Sequence, residues 1–204
     1  MKQEGHLAEL AALAAMALTV LFSVLGFSGN CNEVRGAVLR LHVIANSDSA
    51  ADQALKLQVR DAILKQSGAL FAASQTKAQA EQTVRDALPA LTKTAQQVVA
   101  AKGFPYAVHA ELTQSAFPTR TYGNVTLPAG TYDAVKVTLG SGNGHNWWCV
   151  MFPPLCLPAA SETAALEDVL SGDALALVEE NPKFELRFWL VEQWEALQRR
   201  WREK

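Results

Sequence analysis

The chain predicts an α+β fold. The expected order is strand–helix–helix, then a small antiparallel sheet and a C-terminal amphipathic helix, all behind an N-terminal apolar export or anchor helix. Three observations carry this. Residues 10–27, "LAALAAMALTVLFSVLGF", hold no charge. Apolar residues recur at helical spacing between residues 50 and 102, whereas residues 106–152 alternate apolar and polar between clusters of turn-forming residues.

The leading run has about the minimum length for a membrane span, roughly 18 residues. It also reads as a signal peptide, with Gly26 and Ser28 as small residues for cleavage, although Lys2 is opposed by Glu4 and Glu9. "FSGNC" before Cys31 is a poor lipobox, because asparagine precedes the cysteine. The expected division is a signal peptide or membrane anchor over 1–30 and an extracytoplasmic domain over 35–204. The chain has 204 residues, half of them hydrophobic and 19% charged, enough for one packed body plus that appendage. A net charge of −2, with no basic patch carrying interleaved aromatics, argues against nucleic acid as a partner.

"VLRLHVIA" (38–45) is the first strand, with Leu39, Leu41 and Val43 on one face and Val38, Arg40, His42 and Ile44 on the other. "NSDS" then offers turn and capping residues, and Ser49 with Asp52 resembles a capping box. A helix is expected from about Ala50 to Gln66, with Ala51, Leu55, Val59, Ala62 and Ile63 as its stripe and Gly68 just past its end. Lys56, Arg60 and Asp61 lie off that stripe. A second helical region spans about Thr76 to Lys102, with Pro89 expected to divide or kink it and Gly103 ending it. "YAVHAEL", "TYDAVKVTLG" and "NWWCVMF" read as strands, joined through "LPAG" and the hairpin loop "SGNG". "ASETAALEDVLSG", capped by Ser161, is a short helix. A longer one follows, whose Leu186, Leu190, Trp194, Leu197 and Trp201 form an apolar face.

The richest stretch is "GHNWWCVMFPPLC" (144–156). A cysteine hydrolase would need Cys149 as thiolate and a histidine base, from His145, His42 or His109. In an extended strand His145 stands about 13 Å from Cys149, and the small-residue setting of a nucleophile is missing. A zinc site from His145, Cys149 and Cys156 lacks C-x-x-C or H-E-x-x-H spacing. No phosphate loop or other cofactor motif stands out, and Asp48 and Asp52 at a helix mouth are ordinary helix-dipole residues. Outside the cytoplasm Cys149 and Cys156 would tend to pair, closing a short loop for about 2–3 kcal/mol. Two readings stay open: a core hairpin, or a stiff recognition surface on which one of Trp147 and Trp148 faces inward and the other outward.

"LRLHVIANSDSAADQALKLQVRDAIL" and "YGNVTLPAGTYDAVKVTLGSGNGHNWWCVMFPPLC" resemble the stage II sporulation protein R family of endospore-forming bacteria, over about residues 35–158. "FELRFWLVEQWEAL" resembles the family's terminal helix more loosely. The resemblance implies a non-enzymatic signalling protein without cofactor or small-molecule substrate. It would be exported across the forespore membrane into the space before the mother cell. There it would activate a membrane-embedded aspartic protease that processes the mother-cell sigma-factor precursor. By motif the positions to watch are Arg40, His42, Asn46, Ser47, Asp48 and Asp52, then Tyr122, Gly130, Tyr132, His145, Asn146, Trp147, Trp148, Cys149 and Cys156. The expected partner contact is His145, Asn146, Trp147 and Trp148 together with Asn46, Ser47 and Asp48. The alternative from another class is an extracytoplasmic hydrolase acting on cell wall or peptide through Cys149.

Overall fold

The computed structural model describes residues 2–71, 74–123, 125–153, 166 and 169–179. Helix α1 (Lys2–Ala37) leads into strand β1 (Leu39–Ile44), followed by helices α2 (Ala50–Leu70) and α3 (Lys77–Ala101). Strands β2 (Val108–Phe117), β3 (Arg120–Tyr122), β4 (Val125–Leu127), β5 (Gly130–Leu139) and β6 (Asn146–Phe152) come next, then helix α4 (Gly172–Val178). The fold class is α+β, as predicted. The short helix expected to start at Ser161 falls mostly outside the described residues, and the long C-terminal helix falls outside them entirely.

The main sheet has the order β2-β5-β1-β6. β2 and β5 are antiparallel, as are β1 and β6, but β1 runs parallel to β5. The first strand therefore sits inside the sheet, between two strands that are neighbours in sequence. This corrects one expectation. The "SGNG" loop is not a hairpin between paired strands; it carries the chain from β5 across the end of β1 to β6.

A central strand is covered on both faces, and the burial of β1 follows its period of two. Leu39, Leu41 and Val43 pack against α2 and α3 with Val59, Ile63, Val84, Leu91 and Val99. Val38 points to the other face, where Phe117, Tyr132, Ala134 and Val150 meet the end of α1 and helix α4. β5 obeys the same rule: Tyr132 and Ala134 serve one core, and Val135, Val137 and Leu139 the other.

The helices differ from expectation in detail. α2 continues through Gly68 to Leu70, and Lys56, expected off its stripe, is buried. Ser49 caps α2 by accepting from the Asp52 amide at 3.1 Å. Asp52 does not complete the box, because its carboxylate is engaged elsewhere. α3 begins with a full capping box between Thr76 and Gln79, and it runs through Pro89 without division.

α1 belongs to two environments. Its stretch from Leu10 is long and apolar enough to cross a membrane, and Leu13, Met16, Phe22 and Leu25 are all exposed. Its last turns are core, with Cys31 and Val34 buried. Arg35 Nη2 donates to the Ala129 carbonyl at 2.6 Å, and Glu33 accepts from the amide and hydroxyl of Ser171, the α4 cap, at 2.6 and 2.9 Å. Gly130, with φ +153°, opens β5 directly under Arg35; a Cβ there would lie 2.2 Å from Arg35 Nε. Gly130→Ala should therefore force the Arg35 clamp open and cost about 1–3 kcal/mol. Denaturant unfolding would register the loss, and hydrogen exchange should locate it at residues 31–37.

Candidate functional site

The crossing of the β5–β6 loop over the end of β1 builds a polar clasp. The Gly144 amide donates to the Ala45 carbonyl (2.9 Å) and the Asn143 amide to the Asn46 carbonyl (3.1 Å). Asn46 Oδ1 accepts from the Ser141 amide at 3.0 Å. Gly144 is required by proximity, since a Cβ would lie 2.2 Å from the Ser47 carbonyl oxygen. Asp48 Oδ1 accepts from the His145 amide at 2.6 Å and also bonds the His145 ring at Nδ1. The clasp thus joins Asn46, Ser47 and Asp48 to Ser141, Asn143, Gly144 and His145, roughly a hundred residues later. Of the expected contact residues, the structure brings His145 onto the loop of Asn46, Ser47 and Asp48, whereas Asn146 pairs with Ile44 and bonds His42.

Beneath the clasp lies a buried polar layer. Asp52 Oδ2 accepts from Ser47 Oγ (2.5 Å) and Asn46 Nδ2 (3.0 Å), while Oδ1 accepts from the Tyr106 hydroxyl (2.9 Å). Burial alone would raise this carboxyl, but hydrogen bonds from Ser47, Asn46, Tyr106 and Ser49 outweigh it and hold it below the usual carboxylate range. Asp48 is also held low, chiefly by the His145 amide and then by the His145 ring. Lys56 donates to the His145 carbonyl (2.9 Å) and to Gln53 Oε1 (2.6 Å). Burial lowers the basicity of its ammonium.

The paired tryptophans fall on opposite faces of β6, and both are half-buried, not one in and one out as expected. Trp147 lies on the α2 side with the Arg60 guanidinium 4.2 Å from its ring centroid. Trp148 lies on the other side, stacked at 20° against His42 and covered by Arg120 at 4.6 Å. His42 Nε2 bonds Asn146 Oδ1 at 2.9 Å, and burial pushes its imidazole below its ordinary value.

The remaining motif positions support that second face. Arg40 is fully buried, 4.1 Å from the Phe117 ring and 4.8 Å from that of Tyr132. It donates to the Tyr122 hydroxyl and, at 3.4 Å, to the Cys149 carbonyl. Tyr122 in turn donates to the Trp148 carbonyl at 3.2 Å, and Tyr132 donates to the Pro128 carbonyl at 2.5 Å. Burial raises both phenols.

Cys149 is not arranged as a nucleophile. It is buried opposite Leu41 on the α2–α3 face, while His42 pairs with Trp148 on the other face and His145 is exposed. Its sulfur is disulfide-bonded, and Cys31 is the free cysteine among the described residues. Cys156 lies outside the described residues. Among those residues no group of three or more His, Cys, Asp or Glu side chains is placed to hold a metal.

Sequence reasoning missed Lys56, Tyr106, Ser141 and Arg120. Lys56 carried a faint signal, four residues after Asp52 on α2. Arg120, two before Tyr122 in "RTY", carried none that composition could reveal.

Fold and site together define an α+β domain behind a long apolar helix, with one end of its mixed sheet closed by a clasp between two distant loops. The chain belongs to the stage II sporulation protein R family, whose model matches residues 35–162. It is 35% identical over 175 residues to Stage II sporulation protein R of Bacillus subtilis (strain 168), covering 76% of this chain and 78% of that protein. No solved structure matches it. It is therefore a member of a sporulation protein family, and its leading helix fits a signal or anchor consistent with export.

The depressed carboxyls make the clasp acid-sensitive. A carboxyl held below its unfolded value adds stability above about pH 4, and that stability is lost as pH falls through the folded value. Thermal unfolding followed against pH should show this loss. Asp52→Asn should flatten that acid limb and cost about 1–3 kcal/mol at neutral pH.

Proposed function

We propose that this chain is an exported sporulation signalling protein. It acts in the space between forespore and mother cell, where it activates a membrane-embedded aspartic protease of the mother-cell membrane. That protease then processes the mother-cell sigma-factor precursor. Residues 1–30 serve as signal or anchor, and 35–204 form the exported body.

One observation supports this above others: of the residues expected to touch a partner, Asp48 and His145 meet in an exposed part of the clasp. His145 and Asp48 have side-chain exposures of 78% and 54% there, with Trp147 and Trp148 flanking them on the two faces of β6. Aromatic residues held rigidly at a surface give contact area at low entropic cost. The position of the clasp also suits the role. α1 joins the body where β1 and β5 begin, through Arg35 and Ala129, and the clasp closes the far end of β1. At about 3.3 Å per residue, that six-residue strand puts the two poles roughly 20 Å apart. Pairing of Cys149 with Cys156 would stiffen the chain leaving β6. Binding of the clasp to the receptor's outward-facing part activates it by differential affinity for its active arrangement.

Co-expression of this chain with the protease and its sigma-precursor substrate tests the proposal. Cleavage should depend on the chain and disappear with Trp148→Ala, while the variant still accumulates outside the cytoplasm. Signalling that survives Trp148→Ala, Trp147→Ala and His145→Ala alike would move the contact elsewhere.

A further inference from the structure

Three polar atoms on one face of the sheet are buried without a hydrogen-bond partner: Arg40 Nη1, His42 Nδ1 and Trp148 Nε1. They are neighbours. Arg40 and His42 are two apart on β1, His42 stands opposite Trp148 on β6, and both the Arg40 and His42 side chains lie against the Phe117 ring. The exposed Arg120 guanidinium covers the Trp148 ring. Neither Arg40 nor Arg120 has a carboxylate partner among the described residues, although Lys136 nearby is paired with Glu111 at 3.4 Å.

A buried guanidinium without an anion is costly, and three aromatic rings offset only part of that cost. A bridging water would satisfy stray donors but leave the charge uncompensated. The group that complements these donors is therefore an anion that accepts hydrogen bonds. Two donors, Arg40 Nη1 and Trp148 Nε1, are in place. The third arises if the Asn146 amide is turned so that it donates to His42 Nε2, which leaves the proton on Nδ1.

We propose that this face, between β1 and β6 beneath Trp148, is a socket for one acidic side chain of the protein partner, with Arg40 and Trp148 donating to its carboxylate and Arg120 closing over it. The proposal rests on the contact reading above and deepens it, because the socket adjoins Asn146 at the base of the clasp. The exposed Arg120 side chain over the Trp148 ring is the part of this cover that can move aside. The complementary segment of the partner is thus an acidic one, with a Glu or Asp reaching past the clasp.

Titration of the full chain in detergent micelles tests the socket without any receptor. The probe is N-acetyl-glutamate N-methylamide, its control is the glutamine counterpart, and the readout is the Trp148 indole N–H resonance, assigned with Trp148→Phe. The glutamate probe should move that resonance saturably, and the glutamine probe should not. Arg120→Ala, on an exposed side chain, should weaken the response at least five-fold, whether or not Arg40→Gln folds. Absence of saturable movement, an equal response to glutamine or to inorganic phosphate, or an unchanged response in Arg120→Ala would overturn the proposal. Such a failure leaves the activation reading untouched, since co-expression with the protease decides that separately.

Discussion

The structure depends on one constraint: β1 lies between β5 and β6 and not at the edge of the sheet. Those two strands are consecutive in sequence, so the loop joining them must cross the end of whatever separates them. That crossing brings residues 140–146 onto residues 45–48 and creates the clasp. The close approach then demands glycine at 144, and the carbonyls and amides of both loops satisfy one another. A polar surface feature thus follows from strand order.

The same placement makes β1 serve two cores. One face is plain aliphatic packing against α2 and α3. The other receives Arg40 and His42, which a single-sided strand would have turned to solvent. Rings from β2, β3 and β5 form the box around Arg40, so the charge ties the small β3–β4 ribbon to the main sheet through Tyr122. α1 closes this second core from the opposite pole, through Arg35, Glu33 and two buried apolar residues. The domain therefore has one end given to its leading helix and the other to the polar clasp.

Much of this was legible in the sequence. Alternation alone divided β1 into its two faces correctly, and it bounded β6 as "NWWCVMF". Capping chemistry at Ser49 located the start of one helix, and composition with apolar spacing placed the start of the next at about Thr76, where the structure adds a capping box. Alternation reports which face a residue takes, however, and not which strand lies beside it. The insertion of β1, and with it the crossing of the "SGNG" loop, was therefore invisible. Lys56 was misread because a polar residue on a helix is assumed to face water, whereas here carbonyl and amide oxygens receive its ammonium. The tryptophan pair was half legible: opposite faces follow from period two, but that each carries a covering arginine depends on α2 and the β3–β4 ribbon, far away in sequence.

Hydrogen exchange of the amides of Ser141, Asn143 and Gly144 examines the strand insertion most directly, since all three donate to Ala45 or Asn46 only if the loop crosses β1. These amides should be protected as strongly as those of β5, and Asn46→Ala should release the Ser141 amide first. Free-loop exchange at all three positions, with β5 and β6 still protected, would mean that β1 does not stand between them.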